Sequence, residues 1–124
     1  GDGLLLVNID GQIEFASPNA VSLLHRLGWH RPVVGSRFEE TGLSSKILNE
    51  VFSLKSSVID ELEREDKAFV VSHCFPLLHS GKATGAAVLV RDVTELRRRD
   101  RQLISKDATI REIHHRVKNN LQKN

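Results

Sequence analysis

The sequence predicts an α+β fold in which helices lie on one face of a five-stranded antiparallel sheet and a long C-terminal coiled-coil helix follows. The sheet is predicted because strand-like patterns with tight-turn residues occur at both ends of residues 3–93, and helix-like patterns lie between them. The last helix is predicted because apolar residues recur at seven-residue intervals from Leu96 to Val117. We therefore expect a domain at residues 3–93 and a helical segment at residues 94–124.

The first two predicted strands form a hairpin. Residues 4–7 are uniformly apolar, as in a short buried strand, and residues 12–16 alternate between apolar and polar side chains. Between them, Asp10-Gly11 is typical of the tight turn that joins antiparallel strands.

Two helices are predicted in the middle of the domain. Ser17 is a typical N-cap, Pro18 suits the first helical position, and the helical spacing of apolar residues ends at Gly28. The helical period returns over residues 45–54, and residues 29–44 are predicted to be loops with at most a single helical turn.

Three further strands are predicted at residues 57–65, 68–78 and 83–91, with turns at residues 65–67 and 79–82. Because strands joined by short turns usually pair as neighbours, these three are expected to form a meander. Two strands, a helical connection and three strands together indicate one antiparallel sheet with its helices packed on one face.

This order of elements resembles that of a PAS domain. The resemblance covers residues 3–95, and its most specific marker is Arg91-Asp92-Val93-Thr94-Glu95, which is similar to the Asp-x-Thr signature at the end of the last PAS strand. The resemblance implies a sensor domain, and such domains often enclose a small cavity between sheet and helices.

The flavin-binding and haem-binding forms of this fold need particular residues that the sequence lacks. The flavin form needs a cysteine in the helical connection, and none occurs between Ser17 and Ser57. The haem form places a histidine on the second helix, and residues 45–54 contain none. We therefore expect no bound cofactor in this chain, and we interpret the remaining domain histidines as structural or surface side chains: His25, His30, His73 and His79.

Composition limits the class of protein. The chain has 124 residues, of which 40% are apolar and 27% charged, and no apolar run is long enough to cross a membrane. The single cysteine, Cys74, lies in an apolar run and is expected to be buried, which excludes a disulfide framework and favours a reducing, cytoplasmic compartment. The absence of methionine, and a last helical pattern that stops without a capping residue, suggest an excised fragment.

The C-terminal segment differs in charge from the rest of the chain. Residues 1–90 carry 8 basic and 11 acidic side chains, whereas residues 91–124 carry 10 basic and 5 acidic ones. The basic run at residues 97–101 lies mostly outside the apolar positions and is interpreted as a solvated flank, with nucleic-acid binding as the alternative that it leaves open. A narrow apolar stripe at heptad spacing predicts a supercoiled partner helix and hence a homodimer; it contains Leu96, Leu103, Ile110, Ile113, Val117 and Leu121.

Two adjacent histidines, His114 and His115, lie on this helical segment. An imidazole that titrates near neutrality can present an unprotonated nitrogen as a nucleophile for phosphoryl transfer. At about 100° per residue, His114 lies roughly 40° from the centre of the apolar stripe and His115 roughly 140° away, so that His115 should face solvent while His114 packs near the interface. Adjacent helical residues diverge too far to chelate one ion, and no metal site is predicted.

The sequence around these histidines resembles the phosphoacceptor box of one class of bacterial sensor histidine kinases, related to the HWE kinases and including a PdtaS-like actinobacterial group, with the pattern Glu-x-x-His-Arg-x-Lys-Asn. The resemblance implies that His115 accepts the γ-phosphoryl group of ATP. The cationic side chains at 116 and 118 would offset phosphate charge, the carboxylate at 112 would orient the imidazole, and the amide at 119 would donate to a phosphate or to the partner domain. The residues that fill the fixed positions are Glu112, His115, Arg116, Lys118 and Asn119.

These features predict the sensor fragment of a cytoplasmic two-component histidine kinase, in which a PAS domain relays a signal through a dimeric helix to His115. ATP and Mg²⁺ would bind a kinase domain that the fragment lacks, so that the fragment should be inactive alone. The predicted partners are a second copy of the chain and a response regulator, with no membrane. The less favoured alternative is a non-catalytic PAS dimerisation module whose basic helix binds nucleic acid through the arginines at 97, 98, 99 and 101.

Overall fold

The computed structural model describes residues 1–44, 46–65 and 68–122. The chain divides into two compact units, Gly1–Val93 and Thr94–Asn124. The predicted start of the second helix at Ser45 and the predicted turn at Asp66-Lys67 lie outside the described residues.

The first unit, in its described part, contains five strands, two α-helices and one 3₁₀ turn, in the order that the sequence predicts. Each predicted strand or helix is confirmed within one or two residues at each end. The elements are β1 (Gly3–Asn8), β2 (Ile13–Ala16), α1 (Pro18–Arg26), the 3₁₀ turn (Phe38–Thr41), α2 (Ile47–Leu54), β3 (Val58–Arg64), β4 (Ala68–His79) and β5 (Lys82–Asp92), and the second unit is α3 (Thr94–Gln122).

The five strands form one sheet in the order β2-β1-β5-β4-β3, and every neighbouring pair is antiparallel. The predicted hairpin and meander are both present. The two are joined by the pairing of β1 with β5, in which Gly3 lies opposite Val90 and Leu5 opposite Val88. The first strand therefore lies between the second strand and the last.

Ser17 connects the first strand to the first helix. Its hydroxyl oxygen accepts the backbone N–H of Ala20, at 3.4 Å, as an N-cap does. The same oxygen accepts the backbone N–H of Leu4 in β1, at 2.8 Å. The helix therefore begins where the sequence predicts, and one side chain fixes its first turn against the neighbouring strand.

The hydrophobic core lies between one face of the sheet and the helical connection. Alternate residues of β1, β4 and β5 point into it because successive side chains of a strand lie on opposite faces. Full burial of a large apolar side chain contributes about 1.5–3 kcal/mol, so this layer supplies most of the unit's stability. The largest fully buried side chains are Phe38, Leu5, Ile13, Leu24, Ile47, Val51, Val70, Val88, Val90 and Cys74.

Cys74 lies on the inner face of β4 and is fully buried, as its apolar surroundings predict. Burial disfavours the charged thiolate and raises the pKa of this thiol to about 11. At neutral pH the side chain is therefore a protonated, unreactive core residue.

The opposite face of the sheet also carries apolar side chains, although it is less covered. Phe15, Ile59 and Leu77 are exposed there, and the ring of His73 stacks on that of Phe75 with 4.0 Å between centroids. The His73 ring therefore packs on a neighbouring side chain of its own strand, in line with the structural role that the sequence predicts for it.

The contact between α1 and β1 leaves no room for a side chain at Gly3. A Cβ atom at this position would lie 2.6 Å from both the Cα and the backbone nitrogen of Ala20. We expect Gly3→Ala to lower the free energy of unfolding by about 1–3 kcal/mol, measured by urea denaturation, because backbone would have to move.

The matched control is Gly1→Ala, whose Cβ would meet the end of the flexible Asn19 side chain at 3.0 Å. This variant should change the free energy of unfolding by less than about 0.5 kcal/mol. Equal stability of the Gly3 and Gly1 variants would contradict the close packing of α1 on β1.

Candidate functional site on the terminal helix

The terminal helix α3 runs from Thr94 to Gln122, a length of 29 residues. The sequence contains neither glycine nor proline in this range, so that nothing interrupts the helical hydrogen bonds. Exposed ion pairs one turn apart support it locally, for example Arg98 with Glu95 at 3.2 Å. In the described ranges, α3 and the other helices lack the combination of length and apolar character that crossing a bilayer requires.

The apolar stripe of α3 is uncovered in the single chain. The four side chains of the seven-residue series are between 52% and 62% exposed, and Ile113 is exposed to the same degree. Large apolar side chains in one row on a helix are normally buried against a partner. The series consists of Leu96, Leu103, Ile110 and Val117.

His115 is exposed, and its imidazole contacts one side chain of its own helix. The amide nitrogen Nδ2 of Asn119, one turn later, lies 3.3 Å from Nε2 of His115. An amide nitrogen donates, so Nε2 can accept this hydrogen bond in the neutral tautomer that carries its proton on Nδ1.

Glu112 and Arg116 contact each other rather than the imidazole. Nη2 of Arg116 donates to Oε1 of Glu112 at 2.7 Å, an ion pair of residues four apart on the helix. Sequence reasoning assigned Glu112 to the His115 ring and did not predict this pair. The spacing of four residues between opposite charges is the signal that could have predicted it.

His114 lies beside the apolar stripe, as its helical angle predicts. Together with Ile113, Val117 and Lys118 it lines a shallow, largely apolar hollow on the helix surface. Lys118 therefore borders this hollow, and its aliphatic chain can cover apolar surface while the ammonium stays in water.

Two histidines of the first unit form a contact that sequence reasoning missed. Nδ1 of His25, at the end of α1, lies 3.0 Å from Nδ1 of His30, and the rings meet edge to face. A spacing of five residues across the end of a helix has no fixed geometry, so no sequence pattern predicts this contact. Within the described residues, no group of three or more potential metal ligands is assembled.

The chain is similar along nearly its whole length to part of longer bacterial proteins. It is 46% identical, over 134 aligned positions, to the sensor histidine kinase PdtaS of Mycolicibacterium smegmatis, and 42% identical to that of Mycobacterium tuberculosis. These alignments cover 98% of this chain and 26% of each relative, so the chain spans about a quarter of the relatives' length. No family model matches the chain.

Solved structures resemble the sheet-containing part. The sensor region of a sensor histidine kinase matches 77% of this chain and 40% of its own, with a TM-score of 0.64 and 27% identity. The PAS domain of histidine kinase ThkA matches 74% of this chain and 100% of its own, with a TM-score of 0.57 and 16% identity. None of these similarities supports a nucleic-acid-binding module. The chain is therefore homologous to a segment of the sensor histidine kinase PdtaS, and its first unit has a PAS-like fold.

Proposed function

We propose that this chain is the sensor and phosphoacceptor portion of a two-component histidine kinase, and that His115 is the residue phosphorylated by ATP. The observation that carries the proposal is the exposed His115 imidazole, whose Nε2 has one long contact, 3.3 Å from Nδ2 of Asn119, among the described residues. The pattern Glu-x-x-His-Arg-x-Lys-Asn around it and the similarity to sensor histidine kinases support the same assignment.

The proposed reaction uses the lone pair of His115 Nε2. As a bond forms from Nε2 to the γ-phosphorus of ATP, the bond from that phosphorus to the bridging oxygen breaks and its electron pair leaves with ADP, and the exposed ring then releases its Nδ1 proton to solvent. The Asn119 amide would give up its hydrogen bond to Nε2, which costs little at a distance of 3.3 Å. Its N–H is then in a position to donate to an oxygen of the transferred phosphoryl group.

Arg116 and Lys118 would provide positive charge near that group. Arg116 is paired with Glu112 before the reaction, and an exposed pair four residues apart contributes only about 0.3–0.5 kcal/mol. A phosphoryl group with nearly two negative charges competes readily for the guanidinium. In this proposal Glu112 holds Arg116 beside His115, in place of the role on the imidazole expected from the sequence.

The remaining requirements would be met by other parts of the protein and by partners. ATP and Mg²⁺ would be bound by a nucleotide-binding domain outside these 124 residues, since the relatives are about four times as long. The first unit would sense its signal without a flavin or haem, because it lacks the cysteine and the histidine that those forms use. A response regulator would receive the phosphoryl group, in the cytoplasm.

A parallel homodimer would cover the apolar stripe of α3. Heptad spacing favours a left-handed coiled coil with a second copy of the same helix, and two-fold symmetry brings identical stripes together. His115 lies on the far side of the helix from this stripe, so dimerisation leaves it accessible to the nucleotide-binding domain and the response regulator.

The phosphoacceptor assignment is tested in the full-length kinase. His115→Gln should abolish incorporation of acid-labile phosphate from ATP without loss of dimerisation, because Nε2 is the proposed nucleophile. His114→Gln is the adjacent control and should retain a substantial fraction of the incorporation. Activity of the first variant with none in the second would reverse the assignment, and activity in both would refute it.

The hydrogen bond from Asn119 is tested by the tautomer of His115. In Asn119→Ala, loss of a donor worth about 0.5–1 kcal/mol should shift neutral His115 toward the form protonated on Nε2. Long-range ¹H–¹⁵N spectra of the 124-residue chain measure the two forms. Asn120→Ala, one residue further and equally exposed, should leave them unchanged. If both variants showed the same proportion of the two His115 tautomers as the unaltered chain, the hydrogen bond from Asn119 would be contradicted.

The dimer is tested by charges in its apolar stripe. Leu103→Asp with Ile110→Asp should convert the dimer to monomer in sedimentation experiments, because charged side chains would replace the buried contacts. The control pair is Ile104→Asp with Arg111→Asp, one residue further along and outside the stripe. A dimer that persists in the first variant would mean that other surfaces hold it.

A further inference from the structure

The apolar stripe of α3 is widest near the histidines. Residues three positions after each member of the seven-residue series lie about 60° away, on the same side of the helix, and would form the second row of a coiled-coil seam. Ile113 is the apolar residue of this row, and Asn120 occupies its last position. The two earlier positions of the same row carry basic side chains, Arg99 and Lys106.

Each of these basic residues is followed directly by an acidic one. Asp100 follows Arg99 and Asp107 follows Lys106, so the basic-acidic pair repeats after seven residues. Each aspartate is rotated about 100° around the helix axis from the basic residue before it, which places both aspartates at the edge of the same stripe.

The chain itself does little to neutralise these charges. Arg99, Lys106 and Asp107 form no ion pair within the described residues, and Asp100 has a contact of 3.9 Å with Arg97. The same helix does form closer ion pairs elsewhere, such as that of Arg116 with Glu112 at 2.7 Å. The charges near the seam are therefore available to a second helix.

We propose that the first half of α3 recognises a second copy of this chain through ion pairs of Arg99 with Asp100 of the partner subunit and of Lys106 with Asp107 of the partner subunit. This inference rests on the homodimer of the proposed function. In a parallel coiled coil, each seam residue inserts among four residues of the facing helix, including the residue at the same position and the one that follows. Two-fold symmetry then gives four ion pairs.

The charge pattern selects parallel helices in register. If one helix were reversed, the edge row that contains Asp100 and Asp107 would lie beside the same acidic row of the other copy, and like charges would repel. A shift of one heptad would leave Lys106 without a facing aspartate and would lose half of the pairs. Helices that carry apolar residues at the two basic positions would leave the aspartates unpaired.

This seam is weaker than an apolar one. Long side chains at seam positions keep their charged ends near water, and polar residues there specify register at a cost in stability. In the proposed dimer, the half of α3 nearer the first unit in sequence is held by Leu96 and Leu103 together with salt-sensitive ion pairs, and the half around His115 by Ile110, Ile113 and Val117. We expect added salt to loosen the first half selectively.

Charge exchange tests the proposal in the 124-residue chain. The acidic variant is Arg99→Glu with Lys106→Glu, and the basic variant is Asp100→Lys with Asp107→Lys. Each should self-associate at least about tenfold more weakly than the unaltered chain by sedimentation, because its seam carries charges of one sign. An equimolar mixture should form a heterodimer, and the variant with all four substitutions should regain most of the original affinity.

A control separates the seam from net charge. Arg101→Glu with Arg111→Glu changes the net charge as much as the acidic variant does, at positions outside the stripe, and should leave the affinity within about threefold. Helix orientation is tested with Leu103→Cys in a Cys74→Ser background. The parallel pair should form a disulfide on oxidation, and an absence of cross-linking would overturn the parallel arrangement.

The outcomes separate this inference from the proposed function. The dimer stands if the unaltered chain dimerises and the variant with Leu103→Asp and Ile110→Asp does not. If, in the same experiments, every charge variant associates as tightly as the unaltered chain, the ion pairs are refuted. Failure of both the mixture and the fourfold variant to recover would also refute the ion pairs. An unaltered chain that is monomeric would refute the dimer itself.

Discussion

The pairing of β1 with β5 is the interaction on which the first unit depends. It joins the two ends of the unit, since Gly3 lies opposite Val90, and it unites the hairpin and the meander into one sheet. The approach is close: a Cβ atom on Gly85 would lie 2.5 Å from the carbonyl oxygen of Val7. With this pairing in place, the inner faces of β1, β4 and β5 form one surface for the helical connection to cover.

The terminal helix meets two opposite requirements with one local structure. The proposed phosphoacceptor must be accessible, whereas a row of large apolar side chains must be covered. A rotation of about 100° per residue separates the two, because His115 falls on the far side from the stripe and His114 beside it. The exposure of the stripe in the single chain and the hollow beside His114 are the structural observations behind the proposed dimer.

The proposed ion-pair seam and the proposed phosphoacceptor region differ in the contacts that would hold the two helices together. Screening by salt does not weaken apolar contacts around Ile113 and Val117, whereas the ion pairs proposed for Arg99 and Lys106 weaken as ionic strength rises. In such a dimer the helices would be held firmly near His115 and more loosely in the half that precedes it. The preceding half could then change its packing while the half around His115 stays assembled. Such a division suits a segment proposed to carry a signal from a sensor unit to a reactive side chain.

The sequence by itself determined the features that depend on near neighbours in the chain. The N-cap at Ser17 and Pro18, the turn residues and the heptad spacing placed the helices and strands within one or two residues, because capping, turn chemistry and helical rotation act over a few residues. The same local geometry distinguished His115 from His114. Only the tertiary structure decided that β5 lies beside β1, that Ser17 also binds Leu4, and that the His25 and His30 rings meet. Alternating apolar residues specify which face of a strand is buried but not which strand lies next to it, and that choice is made by packing of the whole core.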